Sequence, residues 1–235
     1  MTNSYFRIRG TKLPSVTVSI IAVTTVVFLL QLAPALGVTN GILFAPIYAF
    51  GQFVPDGVPY EPWRMITAAF AHSASGQLFF LHILFNMYTL WMFGQVLETL
   101  LGHLKFLVLY LLSALGGSLA VFGWAFIVPN SITTAVVGAS GAIFGLVGAF
   151  VIIQRSLGSV NRGLLILVAI NLVIGFIPGA GISWQSHVGG LVVGALFALI
   201  VYYSRRQPKV QTLGIAALAL ILVGLALSQA PIFVG

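Results

Sequence analysis

The chain alternates long apolar runs with short polar breaks, and the runs are of membrane length. A membrane span needs roughly 20 apolar residues, fewer where a helix ends below the surface. On that criterion the pattern predicts helices near 16–36, 79–101, 104–127, 139–154, 163–178, 184–204 and 212–228. The longest break, 37–78, is rich in Gly, Pro and aromatic residues and includes Pro55-Asp56-Gly57 and Glu61-Pro62-Trp63-Arg64. No internal repeat or low-complexity stretch interrupts the pattern. The expected fold class is an all-α polytopic membrane protein.

Composition sharpens this reading. Hydrophobic residues make up 60% of the 235 positions and charged ones only 6%, far below what a soluble surface carries. A net charge of +7 raises the question of nucleic acid, but the basic residues sit between apolar runs rather than in a patch, so no nucleic-acid partner is expected. The absence of Cys excludes disulfides, thiolate catalysis and Cys-based zinc sites. Arg7, Arg9 and Lys12 precede a run from Val16 to Leu36 that is too long for the core of a cleavable signal, so it reads as a first transmembrane helix. With the N-terminus inside, the inner segments hold Arg7, Arg9, Lys12, Lys105, Arg155, Arg162, Arg205, Arg206 and Lys209, and the outer ones only Arg64. The positive-inside rule then places the N-terminus in the cytoplasm and the C-terminus outside. Short tails without a targeting sequence favour a prokaryotic plasma membrane.

Depth brings the polar residues together. Ser140 lies 15 residues from Arg155, which marks the inner interface; at a rise of ~1.5 Å per residue it stands about 22 Å above it. The same count puts His187 about 27 Å from Arg205 and His82 about 24 Å from Glu98. All three fall in one layer of the outer leaflet, below its surface.

Each residue has a plain reading and a chemical one. A serine in a transmembrane helix usually bonds back to the preceding turn or packs as a small residue. Ser140, however, sits between Gly138 and Gly141 at a helix head, where unsatisfied backbone donors can hold a developing oxyanion. A lone histidine can simply lie at the interface, yet His187 opens a helix carrying Gly190, Gly194 and Ala198 at spacing four. Gly141, Gly145 and Ala149 form the matching stripe, so the two helices should meet and set the imidazole against the Ser140 hydroxyl as a proton acceptor. His82 and Asn86 share one helix face; they are either an interhelical hydrogen-bond pair or donors completing an oxyanion hole. The carboxylates are Asp56, Glu61 and Glu98, none placed to orient His187, so a Ser–His dyad is expected rather than a triad. Nor can they complete a metal shell around His82 and His187, and no metal is expected. Glu98, flanked by Gly94 and Gly102 for close contact, ties the inner end of its helix. His72 and His103 read as loop or interface residues without chemistry.

Together these residues resemble the rhomboid family of intramembrane serine proteases. The resemblance rests on Glu61-x-Trp63-Arg64, His82-x-x-x-Asn86, Gly94-x-x-x-Glu98-x-x-x-Gly102, Gly138-x-Ser140-Gly141 and His187-x-x-Gly190-x-x-x-Gly194, in that order. Two departures stand out: Ser186 where alanine is usual, and a longer stretch between His72 and His82. The resemblance implies a six-helix rhomboid-like bundle over 14–204, after a cytoplasmic tail of 1–13. Residues 205–235 would then form a cytoplasmic basic loop and a seventh, structural or partner-binding transmembrane helix. It further implies Ser140 as nucleophile, His187 as general base, and an oxyanion site from His82, Asn86 and the Ser140 amide. Phe144 would pack on the imidazole, while Trp63 and Arg64 would fix the external loop. Phe176 to Ser183 would cap the site. Transmembrane protein substrates would reach it laterally from the lipid, without a cofactor. The alternative is a catalytically silent rhomboid-like protein that binds transmembrane clients.

Overall fold

Five helices of the computed structural model are long and apolar enough to cross a membrane. The structure describes residues 14–32, 61–72, 79–128, 137–156, 158, 163, 166, 169–170 and 183–228. The regular elements among these residues are all helical: α1 (Ser15–Leu32), a turn Arg64–Thr67 running into a 3-10 turn Ala68–Phe70, α2 (Phe79–Leu101), α3 (His103–Ala125), α4 (Ser140–Ser156), α5 (Trp184–Tyr203) and α6 (Pro208–Ser228). The molecule is an all-α polytopic membrane bundle. The expected fifth span at 163–178, the capping loop before Ser183 and most of the 37–78 break, with Asp56, lie outside the described residues. The last helix starts at Pro208 rather than 212, because proline has no amide hydrogen to lose in a first turn.

In a bilayer the usual burial logic reverses, and α1 shows it. Thr17, Thr24 and Gln31, seven residues apart, face the bundle with Ile20 and Phe28. Val23, Val26 and Leu29 are left exposed. Buried polar groups without water need partners. At the N-terminal end of α1 Glu98 supplies them: its carboxylate accepts from the Val16 and Thr17 amides at 2.9 and 2.8 Å and from Thr17 Oγ1 at 2.6 Å. A negative group is also favoured at this helix N-terminus. His103 Nδ1 joins the carboxylate at 2.5 Å from the exposed side. Gly94 makes room, since a Cβ there would be 3.1 Å from Thr17 Cβ. Gly102 does something other than the expected close contact: with φ +81° and open space around it, it makes the left-handed break between α2 and α3.

The packed centre is α3, α4 and α5. On α4 every residue from Gly141 to Ala149 is buried. A Cβ on Gly190 would overlap the Gly141 carbonyl oxygen, and one on Gly194 would overlap that of Gly145. The two helices therefore touch backbone to backbone, a contact that depends on small residues. Gly116 and Gly117 also let α3 pack closely on α5, against Val193 and Ser186. The last helix is held near its N-terminal end by Lys105 Nζ donating to Gln211 Oε1 and by Gln211 Nε2 donating to the Val201 carbonyl.

Gly194→Leu is expected to lower the thermal unfolding midpoint in detergent, with overpacking costing about 1–3 kcal/mol. Gly224→Leu, on an open face of α6, should leave it unchanged. Equal midpoints for the two variants would show that the α4–α5 contact carries little of the stability.

Candidate active site

The helix α4 opens on the sequence Gly138-Ala139-Ser140. Gly138 adopts φ +123°, a conformation closed to other residues without strain. A Cβ there would also stand 3.1 Å from His82 Cε1 and 3.3 Å from Nε2, so the glycine lets the His82 ring lie against the loop. The Ala139 carbonyl accepts the first helical bond, from Ile143 at 2.9 Å. Ser140 is thus the first helical residue, and its amide belongs to the turn that has no intrahelical acceptor. Ser140 is half-buried. Seventeen residues give α4 a length of about 25 Å, short of a ~30 Å hydrocarbon core, so one or both ends lie below the surface.

His187 lies in the first turn of α5, where Ser183 Oγ accepts the Ser186 amide at 3.3 Å and the Ser183 carbonyl accepts that of His187. The imidazole is 5% exposed and stacks on Phe144, with centroids 4.0 Å apart and planes 9° from parallel. Phe144 is one turn beyond Ser140 on the same helix face. Ser186 fits its hydroxyl against Gly141 and Gly117, leaving no room for a Cβ on either glycine. Among the described hydrogen bonds none joins Ser140 Oγ to the imidazole, and His187 Nδ1 is buried with no partner. Such bonds are often long in unliganded enzymes and tighten around substrate.

Among the described hydrogen bonds, none joins His82 or Asn86 to another helix. Asn86 is 7% exposed and donates from Nδ2 to the His82 carbonyl at 3.0 Å, a bond within its own helix. An amide nitrogen has two hydrogens, so one donor remains. Glu61 and Arg64 form an i,i+3 ion pair at the start of the segment 61–72, and Trp63 is 57% exposed. Of the described carboxylates, Glu61 is engaged there and Glu98 near the C-terminal end of α2.

His72 is the residue that sequence reasoning passed over. It is fully buried, its ring edge-to-face with His82 at 5.3 Å. The Ala139 amide lies 3.5 Å from its Nε2, and its own amide donates to Gln31 Oε1 at 3.0 Å. Spacing gave no hint, since a histidine in a Ser/Ala/Gly-rich break looks like any loop residue. A small cleft lined by Ala68, Ala69, Ser118, Val137, Gly138 and Ser186 adjoins this contact.

Comparison with known proteins identifies relatives of this chain. The Rhomboid domain family matches residues 59–204. The chain is 30% identical over 213 residues to Rhomboid protease GlpG of Pectobacterium atrosepticum, covering 88% of this chain and 70% of that relative. It is 34% identical over 148 residues to RHOMBOID-like protein 6, mitochondrial, of Arabidopsis thaliana, covering 60% of this chain and 44% of the relative. Rhomboid protease GluP of Bacillus subtilis is 33% identical over 143 residues, 59% of this chain and 25% of the relative. The chain thus spans less than half the length of the last two.

Burial holds the His72 pKa well down, to about 3, with the adjacent His82 adding to the effect and the Phe70 carbonyl opposing it. An unfolded chain protonates this ring as pH falls through about 6.5, whereas the folded one stays neutral far below that. Protons therefore favour unfolding: the stability from His72 is complete above about pH 6.5 and is lost progressively toward pH 3. Thermal midpoints measured between about pH 7 and pH 4 should fall more steeply for the wild type than for His72→Gln, and equal slopes would exclude His72 as the source.

Proposed function

The chain belongs to the rhomboid family, and on that premise we propose that it is an intramembrane serine endopeptidase cutting transmembrane segments near the outer face. The observation that carries this reading is the α4–α5 contact. Glycines interlock the two backbones, and the Phe144–His187 stack sets the imidazole one turn from the Ser140 position.

In the proposed cycle a substrate helix reaches the site laterally from the lipid and unwinds locally. Unwinding exposes its scissile carbonyl, and the polar groups at the outer helix ends offset part of the cost of bare backbone in lipid. Ser140 Oγ attacks the carbonyl carbon while His187 takes its proton. The tetrahedral oxyanion is held by the Ser140 amide, by His82, and by the Asn86 hydrogen not already given to the His82 carbonyl. Collapse breaks the C–N bond as His187 returns the proton to the leaving amine. Water then hydrolyses the acyl-enzyme, again through the imidazole. Neither Glu61 nor Glu98 is free to orient His187, which supports a dyad. Trp63 and Arg64 would anchor the external segment. The domain division is 1–13, 14–204 and 205–235, with the N-terminus cytoplasmic and the C-terminus external, in a prokaryotic plasma membrane.

Purified protein in detergent is expected to cleave a reporter transmembrane substrate, and Ser140→Ala or His187→Ala should each reduce kcat by about a thousandfold or more. A fluorophosphonate should label the wild type and leave Ser140→Ala unlabelled. Cleavage at the wild-type rate by either variant would remove the dyad; no cleavage or labelling by the wild type would favour a silent client-binding protein.

Replacing His82 or Asn86 with Ala should lower kcat by about tenfold to a thousandfold with little change in KM, because an oxyanion donor acts on the transition state. Steady-state kinetics showing a KM effect alone would reassign both residues to substrate binding.

A further inference from the structure

We propose that His72 is a positioning residue that sets the approach of the nucleophile and steadies His82. The inference rests on the reading of Ser140 as nucleophile and His82 as an oxyanion donor. The segment 61–72 is fastened at several points. Ser118 Oγ donates to the Met65 carbonyl at 2.7 Å, and the Gly138 amide donates to the Ala68 carbonyl at 3.0 Å. His72 ends this segment and touches three elements at once. Its amide is held by Gln31 of α1, its Nε2 stands 3.5 Å from the Ala139 amide, and its ring edge packs on His82 at 5.3 Å.

Ala139 directly precedes Ser140, and Gly138 lies against the His82 ring. One side chain thus supports two of the three donors of the proposed oxyanion site, the Ser140 amide and His82, from behind without reaching a substrate. For Nε2 to accept from Ala139, the ring must be neutral with its hydrogen on Nδ1. Removing the ring leaves a buried amide without an acceptor beside the nucleophile and frees His82 to turn. A small displacement there is costly in rate, since near-attack geometry tolerates little error.

The test compares His72→Ala and His72→Gln with the wild type in detergent, reading kcat, KM, thermal midpoint and the rate of fluorophosphonate labelling at Ser140. The glutamine Oε1 can replace Nε2 as acceptor. Expected for Ala are a fall in kcat and labelling of about tenfold to a hundredfold at nearly constant KM, with Gln recovering to within about fivefold of wild type. Rates within about twofold of wild type for Ala, or equal losses in Ala and Gln, would overturn the proposal. If His72→Ala does not fold, His72→Leu takes its place under the same criteria. Ser140→Ala separates the two levels of the argument: an active Ser140→Ala sinks the protease reading, whereas an inactive one beside an unimpaired His72→Ala sinks only this inference.

Discussion

The backbone contact between α4 and α5 is the constraint on which the rest depends. Two helices whose carbonyl oxygens occupy the space of each other's missing Cβ atoms cannot shift or rotate much without collision. That rigidity is transmitted to their N-terminal ends, where Ser140 begins one helix and His187 lies in the first turn of the other. In lipid there is no hydrophobic force between helices, so close packing and hydrogen bonds must hold the geometry. The flat stack of His187 on Phe144 extends the same contact into the site itself.

A second constraint is that buried polar groups must be satisfied from within. The bundle does this at two levels of α1. Glu98 takes the first-turn amides of that helix at its N-terminal end, and Gln31 takes the His72 amide about 21 Å further along the same face. The segment 61–72 is thereby pinned to α1 as well as to α3 and the loop before Ser140.

Much of this was legible from residues alone, for identifiable reasons. Apolar runs of membrane length gave α2 its bounds to the residue and α3, α4 and α5 to within one or two. Stripes at spacing four marked which helices have small faces. Gly102 was misread because a glycine's sequence context does not distinguish a close contact from a positive φ; only the backbone does. Asn86 was assigned an interhelical bond or an oxyanion role, and its observed partner is the carbonyl one turn back. His72 was dismissed because nothing local signals that a loop folds inward.

The sequence by itself determined an all-helical membrane bundle and, closely, the bounds of most of its described helices. These follow from period, length and rise, which are local properties of a chain. Tertiary structure decided which side chains touch: the imidazole on Phe144, the Glu98 carboxylate on α1, and His72 behind both Ala139 and His82. Such contacts join residues as many as 82 positions apart, and no local pattern encodes which side chains meet across that distance.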